Sequence, residues 1–158
     1  MLITIEQLKS IIREASGLMV ADGFDIEQKG GCENIVTSSD VAVQNFLCER
    51  LLKIMPQSGF LCEEEDINDS QHEYTWIIDP IDGTANYSRG IDQCAICVGL
   101  KHGDKMEMGV VYIPRTNEMF HAEKGKGAYL NGKRIHVSSR PFANAVLCTA
   151  LPVYHKEY

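Results

Sequence analysis

Trp76-Ile77-Ile78-Asp79-Pro80-Ile81-Asp82-Gly83-Thr84-Ala85-Asn86 is the most informative stretch of this chain. An apolar run delivers Asp79 to a proline, and the residue before a proline is pushed away from helical angles. The pattern predicts a strand that stops at Asp79, followed by a tight turn. Asp82-Gly83-Thr84 then supplies a turn-forming carboxylate, a permissive glycine and a capping hydroxyl, the order that opens a short helix. Two carboxylates three residues apart across such a turn can converge on one point. The N–H groups of Gly83, Thr84 and Ala85 can face that point as an anion site. Carboxylates that hold a hard cation, beside amides that hold a phosphate, make a place for metal-assisted phosphoryl chemistry.

Upstream, Glu63-Glu64-Glu65-Asp66 follows directly on Gly59-Phe60-Leu61-Cys62. Acid runs are commonly solvated surface; at the end of an apolar strand and a dozen residues before a paired-acid turn, this one reads as a ligand cluster. Further short apolar runs predict strands over 59–63, 74–79, 93–101, 105–113, 117–123, 127–130 and 133–137. Turn residues separate them, and Asn131-Gly132 is the strongest short hairpin signal in the chain. Consecutive hairpins predict an antiparallel meander.

Before the strands lie two helices. Thr4-Ile5-Glu6-Gln7 reads as a capping box, with Leu8, Ile11, Ile12, Ala15, Leu18 and Met19 at helical spacing and Gly23 as the stop. A second helix starts near Thr37 to Ser39, carries Val43, Phe46, Leu47, Leu51 and Ile54 on one face, and ends before Pro56. Asp25 to Asn34 reads as a polar loop. Ala145 to Leu151 reads as one more apolar strand. The expected class is α+β, two N-terminal helices packed on an antiparallel β-meander sheet.

The 158 residues bound one domain, with 44% hydrophobic and 23% charged residues, as in an ordinary globular protein. A formal net charge of -7 argues against nucleic acid as a partner, and divalent cations reconcile that charge with phosphate binding. No run approaches the roughly 18 apolar residues of a membrane span. Without a secretory segment, the six cysteines (32, 48, 62, 94, 97 and 148) point to reduced thiols and a cytoplasmic location. Cys94 and Cys97 fall in a predicted strand, where odd spacing sends them to opposite faces.

Asp79-Pro80-Ile81-Asp82-Gly83-Thr84-Ala85-Asn86-Tyr87, followed by Gly90 and the apolar run Ala95 to Leu100, resembles the inositol monophosphatase family. The resemblance covers essentially the whole chain. It implies that residues 1–158 form the N-terminal metal- and phosphate-binding half of a layered αβαβα fold. The C-terminal α/β half, which carries a further aspartate ligand in a Trp-Asp-x-Ala-Ala-Gly segment, has no match here.

The resemblance also implies residue roles. Glu63, Asp79 and the carbonyl of Ile81 would hold one Mg2+, and Asp79 and Asp82 would hold a second, giving two or three ions in all with Mn2+ as a substitute. Glu64, Thr84 and Asp40 match positions that orient the attacking water. Glu63, Ile81, Asp82, Gly83, Thr84 and Ala85 would touch substrate. Cys62 stands where the family has glycine, and Lys29 matches a loop lysine near the metals. Asp40 also has a local reason to be where it is, since a carboxylate in the first turn of a helix is favoured by the dipole. The implied activity is magnesium-dependent hydrolysis of inositol monophosphate or a related sugar phosphate, with a homodimer for the complete enzyme. Fructose 1,6-bisphosphate or adenosine bisphosphate are alternative substrates. A half-domain that binds metal and phosphate without turnover is the competing class.

Overall fold

The computed structural model describes residues 3–20, 23–28, 35–64, 67–69 and 71–146. Helix α1 (Ile5–Ala15) starts in a capping box: the Gln7 amide donates to Thr4 Oγ1 at 3.3 Å and the Thr4 amide to Gln7 Oε1 at 2.9 Å. Leu8, Ile11, Ile12 and Ala15 form its buried stripe. The helix stops earlier than its spacing predicts, passing into a 3-10 turn over Ser16–Leu18. Ser16 Oγ donates back to the Arg13 carbonyl at 2.7 Å, and Gly17 has poor helix propensity, so the last turn tightens.

Strands β1 (Ile26–Gln28) and β2 (Ile35–Thr37) pair antiparallel, so part of the expected polar loop is extended and hydrogen-bonded. Helix α2 (Ser38–Ile54) follows with Thr37 as its N-cap. Val43, Leu47 and Leu51 are fully buried, while Phe46 and Ile54 pack at the margin of the core.

The main sheet contains β3 (Gly59–Cys62), β4 (Asn68–Asp69), β5 (Tyr74–Asp82), β6 (Ala95–His102), β7 (Lys105–Ile113), β8 (Glu118–Glu123), β9 (Gly127–Leu130) and β10 (Lys133–Ile135). Its order is β10-β9-β8-β7-β6-β5-β3-β4. From β5 to β10 it is the expected antiparallel meander, and the Asn131-Gly132 turn has positive φ at both residues (48° and 79°). The other end departs from that expectation. β3 lies parallel to β5, and β4 forms the outer edge. The chain passes out through β4 before re-entering at β5, which makes a parallel neighbour possible. A side chain at Gly59 would meet the Asp69 carbonyl at 1.8 Å, so β3 and β4 approach this closely only with glycine there.

Alternation sorts the sheet into two faces. Trp76, Ile78, Ile96, Val98, Leu100, Val110, Tyr112 and Met119 join the buried stripes of α1 and α2 in one core. The Trp76 indole N–H donates to Ser58 Oγ at 3.1 Å, tying the start of β3 to β5. On the opposite face Ile77, Gly99, Gly109, Ala122 and Ala128 stand side by side through the register, in a depression of about 420 Å3. Residues Phe142–Asn144 form a 3-10 turn, and Ala145 and Val146 are irregular rather than the start of a strand. The remainder of that expected strand, 147–151, lies outside the described residues.

Candidate active site

Strand β5 does not stop at Asp79. It continues through Pro80 to Asp82, and its pairing with β6 shifts between Asp79↔Cys97 and Asp82↔Ala95, so that Pro80 and Ile81 face the single residue Ile96. This is a β-bulge, the one interior setting where a proline costs no ladder hydrogen bond. The bulge re-aims the side chains. Asp79 stays on the face away from the helices, Ile81 turns into a small core with Tyr87 and Cys94, and Asp82 becomes exposed.

Gly83 follows with φ 89° and ψ 38°, and a side chain there would meet the Gln93 carbonyl at 2.8 Å. Only glycine satisfies both the left-handed backbone and that approach. Helix α3 (Thr84–Tyr87) is a single turn. Asn86 Nδ2 donates to the Gln93 carbonyl at 2.8 Å and closes the loop that leads to β6. The Tyr87 hydroxyl lies 2.7 Å from the Val20 carbonyl and 2.9 Å from Ser39 Oγ, which fixes α3 against the start of α2.

Asp40 is 1% exposed. Its Oδ2 accepts from the Thr37 amide at 2.9 Å and from the Thr37 hydroxyl. Its Oδ1 lies 3.1 Å from Thr84 Oγ1, which is also 3.0 Å from the Ile81 carbonyl. The threonine has one proton to share between these acceptors, so its orientation is set and its lone pairs are left for another donor. Asp40 thus closes the capping box of its helix and holds the Thr84 hydroxyl.

Gln44, one turn further along α2, is a site residue with no signature in the sequence. It is fully buried, its Nε2 donates to the Glu64 carbonyl at 3.0 Å, and its Oε1 accepts from the Glu64 amide at 3.1 Å. The signal that could have exposed it is a polar residue on the apolar face of an otherwise regular helix. Glu64 is held buried by this clamp, whereas Glu63, whose amide donates to the Ile78 carbonyl at 3.1 Å, is exposed.

Asp79 Oδ1 is buried and makes no hydrogen bond. Burial, then the adjacent Glu63 carboxyl, then the negative charges of Asp82 and Asp40 push the Asp79 carboxyl up to about 8. A carboxylate in such a position is the donor set a hard divalent cation satisfies, and this is the fit of the site to a metal. Among the described residues, no three His, Cys, Asp or Glu side chains are gathered as a closed cation cage. The structure therefore brings Glu63 to Asp79, leaves Asp82 and Ala85 exposed at the rim, and places Asp40, Thr84 and the Ile81 carbonyl in one hydrogen-bonded group. Lys29, Glu65 and Asp66 lie outside the described residues.

The four described cysteines fall into three places, and Cys32 and Cys148 lie outside the described residues. Cys94 precedes β6 in the small core, and Cys97 lies on the Asp79 face, where burial and then the charges of Asp79, Asp82 and Glu63 push it up to about 12. Neither is in a disulfide. Cys62 Sγ lies 3.8 Å from Cys48 Sγ, and that contact, with burial, raises the Cys62 thiol. Of the histidines, His72 meets Asp69 and His102 meets Glu73 at the surface. His121 stacks on Tyr129 at 5.1 Å with Nδ1 shielded from water.

Residues 3–158 match the inositol monophosphatase family. The chain belongs to that family. An inositol-1-monophosphatase from Caulobacter vibrioides is 39% identical over 128 residues, covering 78% of this chain and 50% of that protein. The crystal structure of the extragenic suppressor protein suhB from Bartonella henselae superimposes with TM-score 0.79 and 31% identity, over 86% of this chain and 55% of that one. An IMPase/NADP phosphatase crystallised with Mg2+ and phosphate gives TM-score 0.71 and 27% identity, over 82% and 49%. The chain spans about half the length of the relatives it matches. The α+β architecture is that of the family. No helix among the described residues is long and apolar enough to cross a membrane.

Proposed function

We propose that this chain supplies the metal- and phosphate-binding half of a magnesium-dependent phosphomonoesterase acting on inositol monophosphate or a related sugar phosphate. The observation that carries the reading is the buried, unpartnered Oδ1 of Asp79 on a bulged strand, one short turn from the Asp40–Thr84 hydrogen bond. Membership of a phosphatase family supports it, as does the relative crystallised with Mg2+ and phosphate.

Glu63, Asp79, Asp82 and the Ile81 carbonyl would hold two or three ions. Bound divalent ions supply a lowered pKa for water and charge stabilisation of the leaving oxygen. The chain's own residues have separate tasks. Asp40, buried and held by Thr37, fixes the Thr84 hydroxyl, and Thr84 orients the attacking water together with Glu64. Gln44 holds the Glu64 backbone, so the Glu64 side chain departs from a fixed point. Gly83 lets α3 begin where the amides of Gly83, Thr84 and Ala85 can meet phosphate oxygens. The water oxygen bonds to phosphorus as the phosphorus–alcohol oxygen bond breaks; the water's proton passes to the Thr84–Asp40 pair or to Glu64, and the departing alkoxide takes a proton from solvent. The wider protein would be a homodimer and would add a further carboxylate and the wall that selects the alcohol.

The test is phosphate release from inositol 1-phosphate, fructose 1,6-bisphosphate and adenosine bisphosphate by a longer product of the same gene. Thr84→Ala should lower kcat by roughly 10²-fold while the chain keeps its folded circular dichroism. Full activity in that variant removes Thr84 from the mechanism, and no release from any of the substrates removes the phosphatase reading.

A further inference from the structure

Asp40, Gln44 and Cys48 recur every four residues along α2 and so share one face of the helix. The first meets Thr84, the second grips the Glu64 backbone, and the third has its sulfur 3.8 Å from that of Cys62. Cys62 is the last residue of β3 and directly precedes Glu63. We propose that Cys48 and Cys62 are a redox modification site. Oxidised low-molecular-weight thiols, with glutathione disulfide as the probe, convert them to an intramolecular disulfide that ties α2 to the end of β3.

The geometry limits the change required. A disulfide holds its sulfurs at about 2.05 Å, so the two atoms, 3.8 Å apart, must approach by roughly 1.8 Å. Access is unequal: Cys48 is half-buried, whereas Cys62 is 7% exposed. Cys48 therefore meets the oxidant first. Its sulfur attacks one glutathione sulfur, the glutathione S–S bond breaks, and the departing thiolate takes the proton that Cys48 gives up. Cys62 then attacks the Cys48 sulfur in the mixed disulfide and displaces the second glutathione, which takes the Cys62 proton. Two cysteines are oxidised and one glutathione disulfide is reduced to two thiols. No other pair among the described cysteines is placed for this, because Cys94 lies in the small core beside Tyr87 and Cys97 on the Asp79 face of the sheet.

The disulfide would fall between the Gln44 clamp and Glu63. Its influence on cation binding rests on the function proposed above; its formation does not. The experiment incubates the reduced, folded 158-residue chain with glutathione disulfide, alkylates the remaining thiols, and maps peptides without reduction. The expected result is a dominant peptide joining Cys48 to Cys62, reversed by dithiothreitol. Cys48→Ser and Cys62→Ser should each end instead as alkylated thiol or a glutathione adduct on the remaining member. A chain that keeps its circular dichroism but gives only glutathione adducts, or a linkage through other cysteines, overturns the proposal. Peptide mapping needs neither cation nor substrate, so its failure is separate from failure of the phosphatase reading.

Discussion

Replacing Gln44 by leucine is a sharp perturbation of the site, because nearly equal volume is kept while two hydrogen bonds to one backbone unit are lost. The Glu64 amide and carbonyl, at 3.1 and 3.0 Å from the Gln44 side chain, would lose these partners in a buried setting. Each unsatisfied group costs about 1–3 kcal/mol. The apolar side chain returns about 1 kcal/mol through burial. The expected net loss is about 1–5 kcal/mol, which for a chain of this size lowers Tm by roughly 2–20 °C. Urea unfolding should show a lower midpoint at unchanged slope, the mark of a stability change rather than a changed unfolded state. In a longer, active form the same variant should lower phosphate release, since Glu64 departs from a loosened backbone. A loss smaller than about 0.5 kcal/mol would refute the reasoning, because it lies within the range of an ordinary surface change.

Three further outcomes follow from particular residues. With its carboxyl pushed up to about 8, Asp79 binds a proton more tightly in the folded chain than in the unfolded one. In chelator the wild type should therefore lose stability as pH rises from near 4 toward 8, and Asp79→Asn should flatten that slope; equal slopes by urea titration at pH 5 and pH 8 would contradict it. Gly83→Ala should destabilise by about 2–3 kcal/mol, combining left-handed strain with the 2.8 Å contact to Gln93, and a melting curve within error of wild type would show that the turn relaxes. On the proposed function, the 158-residue chain alone should hydrolyse inositol 1-phosphate roughly 10²–10³-fold more slowly than a longer product of the same gene at saturating magnesium, because the proposed site would take one more leaving-group-stabilising carboxylate from such a product. Comparable rates would show that the half-site suffices.

The local signals in the sequence were strong where one residue sets its own geometry. Thr4 and Thr37 cap their helices, Asn131-Gly132 makes its hairpin, and the apolar stripes of α1 and α2 are buried as their spacing predicts. Interactions between distant segments were not legible in the same way. Asp79-Pro80 predicts a strand end, yet pairing with β6 carries β5 through the proline as a bulge, because the ladder partner is decided by the neighbouring strand. The parallel β3–β5 pair depends on where β4 returns, which no alternation of side chains encodes. At the site, the acids and the Gly-Thr turn stand out by residue type. Gln44 does not, since its function comes from a backbone 20 residues away. The proximity of Cys48 and Cys62 is of the same kind.

The central claim is that Asp79 and its neighbours hold a divalent cation, and calorimetric titration of Mg2+ and Mn2+ into the chain tests it most directly. Wild type should bind with heat that Asp79→Asn loses or shifts to at least about tenfold weaker affinity, and binding should tighten as pH rises through the range in which the Asp79 proton leaves. Equal affinity in the two proteins would contradict the account.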